Sequence, residues 1–244
     1  VSHSADPLLR VTNLVKRFGG FRALDGVSFH LAPGEVLGLV GPNGSGKTTT
    51  INVISGLYAP DGGDVSFAGA AIGGTPMHRL ARLGINRTFQ SPKPFLSLTV
   101  QENVEIAAAY GHGAAAGAPV DLAGLLASME LDTLRNRAAG DLNSAQQKTL
   151  DLARALATAP RLLLVDELAA GLNPAELRRM ADRLRTMADG GMAMVVVEHL
   201  MGFIDRVTDR VIVMNAGKEI FEGTLATATR DPDVIRVFLG GAHG

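Results

Sequence analysis

The chain has 244 residues, of which 46% are hydrophobic and 19% charged, with a formal net charge of -1. This is the composition of a globular chain long enough to bury a full core; it excludes the disordered and fibrous classes and gives no electrostatic reason to expect nucleic acid as a partner. Zero cysteines exclude disulfides, cysteine-ligated zinc and thiol nucleophiles, and they fit a reducing compartment. The first residues carry no basic stretch followed by an apolar core, and no run approaches the ~18 apolar residues of a membrane span. A soluble, cytoplasmic chain is expected, one that reaches a membrane only through a partner.

In chain order, Leu8 to Leu14 and Ala23 to Phe29 alternate apolar and polar residues across Arg17-Phe18-Gly19-Gly20, which predicts an antiparallel pair. Glu35 to Val40 predicts a buried strand, entered at Pro33-Gly34 and left through a glycine-rich loop into a helix from about Lys47 to Ser55. Asp61-Gly62-Gly63-Asp64 opens a short edge strand, Val65 to Ala68. After Pro92 and Pro94, Thr99 with Glu102 three residues on predicts a capped helix reaching Tyr110. Gly111 to Pro119 reads as an Ala/Gly-rich loop, and Asp121 to Leu131 and Ala145 to Ala159 read as amphipathic helices.

From Arg161 strands and helices alternate. Strands Leu162 to Val165, Ala193 to Val197 and Arg210 to Met214 are separated by helices Pro174 to Ala188 and Leu200 to Val207, as a parallel sheet with right-handed crossovers requires. Asn215-Ala216-Gly217 then turns a hairpin, and Asp231-Pro232 starts a last helix that Gly240 stops. The expected architecture is α/β: one domain over 8–244 with a mainly parallel sheet, an N-terminal antiparallel β subdomain and an inserted helical subdomain. The core is expected at about 8–90 and 158–244, and the insertion at about 91–157.

Gly41-Pro42-Asn43-Gly44-Ser45-Gly46-Lys47-Thr48 fits G-x-x-x-x-G-K-[ST] between a predicted strand and a predicted helix. Glycines let backbone N–H groups form an anion nest, the helix adds its positive end, Lys47 supplies a point charge and the Thr48 hydroxyl is a ligand for Mg²⁺. Leu162 to Val165 ends in Asp166 and Glu167, where ligands bind in open α/β sheets: Asp166 is expected to hold Mg²⁺ through water and Glu167 to polarise the attacking water. His199 follows another strand and is placed to meet the γ-phosphate, and Gln90, after the apolar run Ile85 to Phe89, is placed to offer its amide oxygen to Mg²⁺.

In this order the motifs resemble those of the ABC transporter ATPases over nearly the whole chain. The resemblance implies a RecA-like P-loop NTPase core that binds ATP and Mg²⁺ and hydrolyses ATP. It implies that Phe18 stacks on adenine, that Gly41 to Thr49 is the Walker A loop, Gln90 the Q-loop, Asp166 and Glu167 the Walker B end, Gly171-Leu172-Asn173 the D-loop and His199 the switch histidine. Arg87-Thr88-Phe89-Gln90, Ala169 to Pro174 and the tail Pro232 to Gly240 look most like the ATP-binding subunits of branched-chain amino acid importers. The implied partners are a second ATPase subunit, arranged head to tail, and membrane permeases, with the chain peripheral on the inner face of the cell membrane. An ABC ATPase of DNA repair or translation would need a long coiled coil or two phosphate loops, and the sequence has neither.

One motif departs from the family. Its Leu-Ser-Gly-Gly-Gln signature aligns with Leu142-Asn143-Ser144-Ala145-Gln146, followed by Gln147 and Lys148. Asn143 remains a good N-cap, while Ala145 is expected to hinder backbone approach to the partner's phosphate or to strain a glycine-like conformation. The alternative function is therefore an ATP-binding regulatory subunit that hydrolyses little. Leu168, where a proline is usual, lies outside the expected phosphate contacts.

Overall fold

A computed structural model describes residues 6–111 and 119–240; the interior of the predicted Ala/Gly-rich loop, 112–118, lies outside them. Strands β1 (Leu9–Phe18) and β2 (Phe21–Leu31) form the predicted antiparallel pair but run further than the alternation indicated. Pairing continues through Arg17 with Arg22 to Phe18 with Phe21, because the Gly19 turn (φ 57°) closes the hairpin directly beyond them. With β4 (Gly62–Phe67) and β5 (Ala70–Ala71) they make a four-stranded sheet in the order β2-β1-β4-β5.

The second sheet has six strands, β10 (Lys218–Gly223), β9 (Arg210–Asn215), β3 (Val36–Val40), β8 (Ala193–Val197), β7 (Leu162–Asp166) and β6 (Ile85–Arg87), in that spatial order. Every pairing is parallel except that of β10 with β9. All five residues of β3, β7 and β8 are buried, the pattern of strands covered on both faces. Alternate residues feed opposite cores: Leu163, Val165, Met194 and Val196 face the helical side, and Leu162, Leu164, Val195 and Val197 face helix α1 (Lys47–Ile54) and the antiparallel sheet.

Helix α2 (Met77–Leu83), unannounced in the sequence, buries only Leu80. Helix α3 (Val100–Tyr110) carries the predicted Thr99/Glu102 capping box. Helix α4 (Leu122–Ser128) stops short of the predicted Leu131, because Glu130 takes a left-handed φ of 57° and a 3₁₀ turn follows at Asp132–Leu134. The remaining helices are α5 (Ser144–Ala157), α6 (Pro174–Asp189), α7 (Met201–Val207), a further unpredicted turn α8 (Leu225–Ala228) and α9 (Pro232–Gly240). Among the described residues no helix is long and apolar enough to cross a membrane.

Asn103 fastens the proline-containing loop onto α3. Fully buried, its Oδ1 accepts from the Phe95 N–H (2.8 Å) and its Nδ2 donates to the carbonyls of Phe95 and Thr99 (3.0 Å each). Asn103→Ala leaves the Phe95 N–H without its acceptor, while the Phe95 and Thr99 carbonyls keep the backbone N–H groups of Leu98 and residue 103, and denaturant unfolding is expected to show a loss of about 1–3 kcal/mol.

Candidate active site

The loop after β3 is held against the sheet by its glycines. Gly41 has φ 144°, and a Cβ there would lie 2.2 Å from the Met214 carbonyl oxygen; at Gly46 (φ 108°) it would lie 2.9 Å from that of Ala23. Gly46 is also the N-cap of α1 and offers no side chain to it, whereas Thr99, Asn143 and Asn173 each close a helix with a capping box. The first N–H groups of α1 therefore have neither an intrahelical acceptor nor a capping side chain, and they carry the positive end of the helix dipole. Lys47 lies over the loop, its Nζ donating to the carbonyls of Gly41 and Pro42 (2.9 Å each). Burial lowers its pKa, and the carboxylates of Glu167 and Asp166 oppose that shift.

Asp166 ends β7 almost fully buried, in an ion pair with Arg87 (Nη2 to Oδ2, 3.1 Å). Arg87 also donates to Asn52 Oδ1 (2.7 Å) and Ser55 Oγ (3.1 Å), tying the acidic strand end to the far end of α1. Burial raises the Asp166 pKa; the Arg87 cation opposes this and the neighbouring Glu167 adds to it. Glu167 occupies a left-handed φ of 49°, which costs a side-chain-bearing residue about 1–2 kcal/mol. Its carboxylate accepts from the Gln90 amide nitrogen on one side and lies 2.9 Å from His199 Nε2 on the other.

Phe18, Phe21 and Ala23 form one wall of a cleft of about 250 Å³ whose floor is Asn43, Gly44, Gly46, Lys47, Thr48 and Thr49 and whose far edge is Glu167 and His199. Phe18, the phosphate loop, Glu167 and His199 thus share one cleft, with the exposed Phe18 beside the loop; Gln90 and Asp166 do not line it, Gln90 reaching it through its bond to Glu167. The signature residues Asn143, Ser144, Ala145 and Gln146 line no part of it; Asn143, Ala145 and Gln146 border a separate hollow against α6. Two participants escaped the sequence reading. Arg87 pairs with Asp166 79 positions away, and Tyr58 packs edge-on against Phe18 with ring centroids 5.1 Å apart; neither has a local pattern, since each acts across long sequence separations.

The ABC transporter family model matches residues 24–170. The chain belongs to the ABC transporter ATPases. The high-affinity branched-chain amino acid transport ATP-binding protein BraF of Pseudomonas aeruginosa is 36% identical, over 97% of this chain and 99% of its own length. LivG of Escherichia coli K12, a protein of the same description, is 34% identical over 98% and 100%. The solved ADP conformation of the ABC cassette MJ1267 superimposes with a TM-score of 0.85 at 33% identity, covering 97% of this chain and all of that one. As a member of this family the chain is an ATP-binding protein and an ATPase.

Within this ABC ATPase one expectation is corrected. Ala145 is not held in a glycine-like conformation: it lies in the first turn of α5 with no positive φ. The capping box explains why, for Asn143 Oδ1 accepts from the Gln146 N–H (2.9 Å) and Gln146 Oε1 from the Asn143 N–H (3.0 Å), so the turn is ordinary helix, in which alanine is favoured over glycine.

Arg87→Met would leave Asp166 buried without its counter-charge, and equilibrium unfolding at neutral pH is expected to show a loss of about 3–5 kcal/mol. The folded-state pKa of Asp166 already lies above its ordinary 3.8 and would rise further. The deficit is present above that raised pKa and shrinks as acid protonates the carboxylate, so it is expected to fade as the pH is lowered toward the ordinary value.

Proposed function

We propose that this ABC ATPase drives import of branched-chain amino acids or related small polar solutes, hydrolysing ATP with Mg²⁺ as one of a head-to-tail pair docked on membrane permeases at the inner face of the cell membrane. The observation that carries the hydrolytic part is Glu167, bridged between Gln90 and His199 at the edge of the cleft that holds the phosphate loop.

In this reading the uncapped N–H groups of α1 and the nest from Gly41 to Gly46 receive the phosphates, and Lys47 turns from its own loop carbonyls to the β- and γ-oxygens. Phe18 takes the adenine face, with Tyr58 bracing it from behind. Glu167 accepts a hydrogen bond from the attacking water while His199 and Gln90 hold its carboxylate. The donor set suits Mg²⁺: the exposed Thr48 hydroxyl, the Gln90 amide oxygen and the Asp166 carboxylate are hard oxygens. Mg²⁺, when bound, supplies charge neutralisation on the phosphate oxygens.

The pairing reading rests on the start of α5. The Asn143 and Gln146 side-chain oxygens are taken by each other's backbone N–H groups, which leaves the Ser144 hydroxyl, the N–H groups of Ser144 and Ala145 and the two side-chain amide NH₂ groups as what this chain offers a partner's phosphate. The permease reading rests on a groove of about 250 Å³ beside Gln90, lined by Phe89, Phe95, Ile106 and Tyr110 with Asp151 and Arg154. Phe95, Ile106 and Tyr110 are exposed there, an apolar surface suited to a helix from a membrane subunit. Similarity to BraF and LivG supports the solute class.

Steady-state turnover and nucleotide binding test the reading. Glu167→Gln is expected to keep ATP binding and to lose turnover by about 10²-fold or more, while Lys47→Ala is expected to weaken ATP binding by at least about tenfold. Normal turnover in the first or normal affinity in the second overturns the corresponding role. Because Ala145 is unstrained, Ala145→Gly is expected to leave the assembled dimer's turnover within about twofold; a larger rise would show that its Cβ obstructs the partner's phosphate and would favour the regulatory alternative for the unaltered chain.

A further inference from the structure

The backbone turn after Glu167 is gripped by two buried charges that the functional reading does not use. Lys148, in the second turn of α5 and 7% exposed, directs its ammonium at three carbonyl oxygens of that turn, those of Glu167 (3.5 Å), Leu168 (3.2 Å) and Ala170. Glu198, 3% exposed and next to His199, accepts from the Ala169 N–H at 2.6 Å. Lys148 has three donors and all three are committed to the turn. The turn is otherwise a poor candidate for rigidity: it leaves the sheet through a left-handed Glu167, passes Gly171 at φ 75°, and Ala170 and Gly171 are exposed. Leu168 contributes by packing into the core at 2% exposure, so the residue that stands in place of the usual proline anchors the turn through its side chain.

The two charges come from different parts of the machinery. Lys148 lies one helical turn from Asn143–Gln146, the segment lent to a partner's nucleotide, and Glu198 adjoins the histidine that touches Glu167. Asp151, one turn further along the same helix, accepts from the Phe89 N–H at 3.1 Å, so α5 also holds the backbone just before Gln90. Any shift of α5 therefore reaches both the peptide that carries Glu167 and the residue bonded to its carboxylate.

Building on the proposed function, we propose that Lys148 and Glu198 are positioning residues that set the posture of Glu167 and make it answer to the position of the signature segment at the start of α5. Engagement of that segment by the nucleotide on the partner would then be felt in this chain's own site without any contact between the two phosphates. Neither residue lines the nucleotide cleft, so neither contributes to ATP affinity.

The test uses the full chain assembled with its membrane partner, and reads the ATP dissociation constant and kcat separately. Lys148→Met, close in volume and without charge, is expected to keep the ATP dissociation constant within about twofold while kcat falls at least about tenfold. Lys148→Arg is expected to recover part of that loss. Glu198→Gln, which retains an acceptor for the Ala169 N–H and serves if Lys148→Met does not fold, is expected to lower kcat about threefold or more with affinity unchanged. Turnover equal to that of the unaltered complex in the variants overturns this inference and leaves the proposed function standing, and so does a loss of affinity as large as the loss of kcat. Absence of turnover in the unaltered complex instead overturns the proposed function.

Discussion

Val197 pairs in parallel register with Leu39 on one side and with Asp166 on the other, and its carbonyl accepts from the Glu167 N–H at 3.0 Å. Because these strands are sealed on both faces, their backbone groups are consumed within the sheet and polar chemistry can begin only where the strands stop. The shared register makes them stop at nearly the same level. The phosphate loop follows β3, the acidic pair closes β7, and Glu198 and His199 follow β8, so three chain segments far apart in sequence open onto one rim. Everything else in the site trims this arrangement: Gly41 brings the loop down onto Met214, and Arg87 ties Asp166 to α1.

The alternation of buried strands and amphipathic helices after Arg161 was plain in the sequence, as was the phosphate loop, because both are local patterns with a physical cause in a few consecutive residues. Capping could be read at Thr99 for the same reason. What stayed hidden was non-local or weakly patterned. Helix α2 spans seven residues, so its stripe of Met77, Leu80 and Ala81 is too short to stand out, and the hairpin tip at Phe18 and Phe21 extends beyond the hydrophobic alternation because cross-strand pairing sustains it. The capping box at Asn143 explains why Ala145 carries no backbone strain: the position is helix, and helix accepts alanine. Arg87, Lys148 and Glu198 could not have been singled out by spacing, since their partners lie 79, 19 to 22, and 29 residues away.

Two classes of charge coexist at the rim. Arg87, Lys148 and Glu198 are buried and bonded to partners inside the chain, so they define shape, while Asp166 gives one carboxylate oxygen to Arg87. The open end of α1 and the exposed Thr48 keep unspent capacity for an anion and a cation, and Lys47 joins them once it leaves the Gly41 and Pro42 carbonyls. The separation matters for catalysis, because donors already fixed in place require little reorganisation when phosphate enters, while the groups that must move are few and carried on one short loop.

The lack of tryptophan gives one packing detail a use of its own. The chain has two tyrosines, and they stand at two different sites of the proposed machine: Tyr58 edge-on to Phe18, and Tyr110, 69% exposed, in the groove beside Gln90. Ultraviolet emission from the unlabelled protein is therefore a sum of two local signals with no indole to mask them. With either ring replaced by phenylalanine, the remaining phenol becomes an optical reporter of a single site, so events at the cleft and at the groove can be timed against each other without attaching a dye.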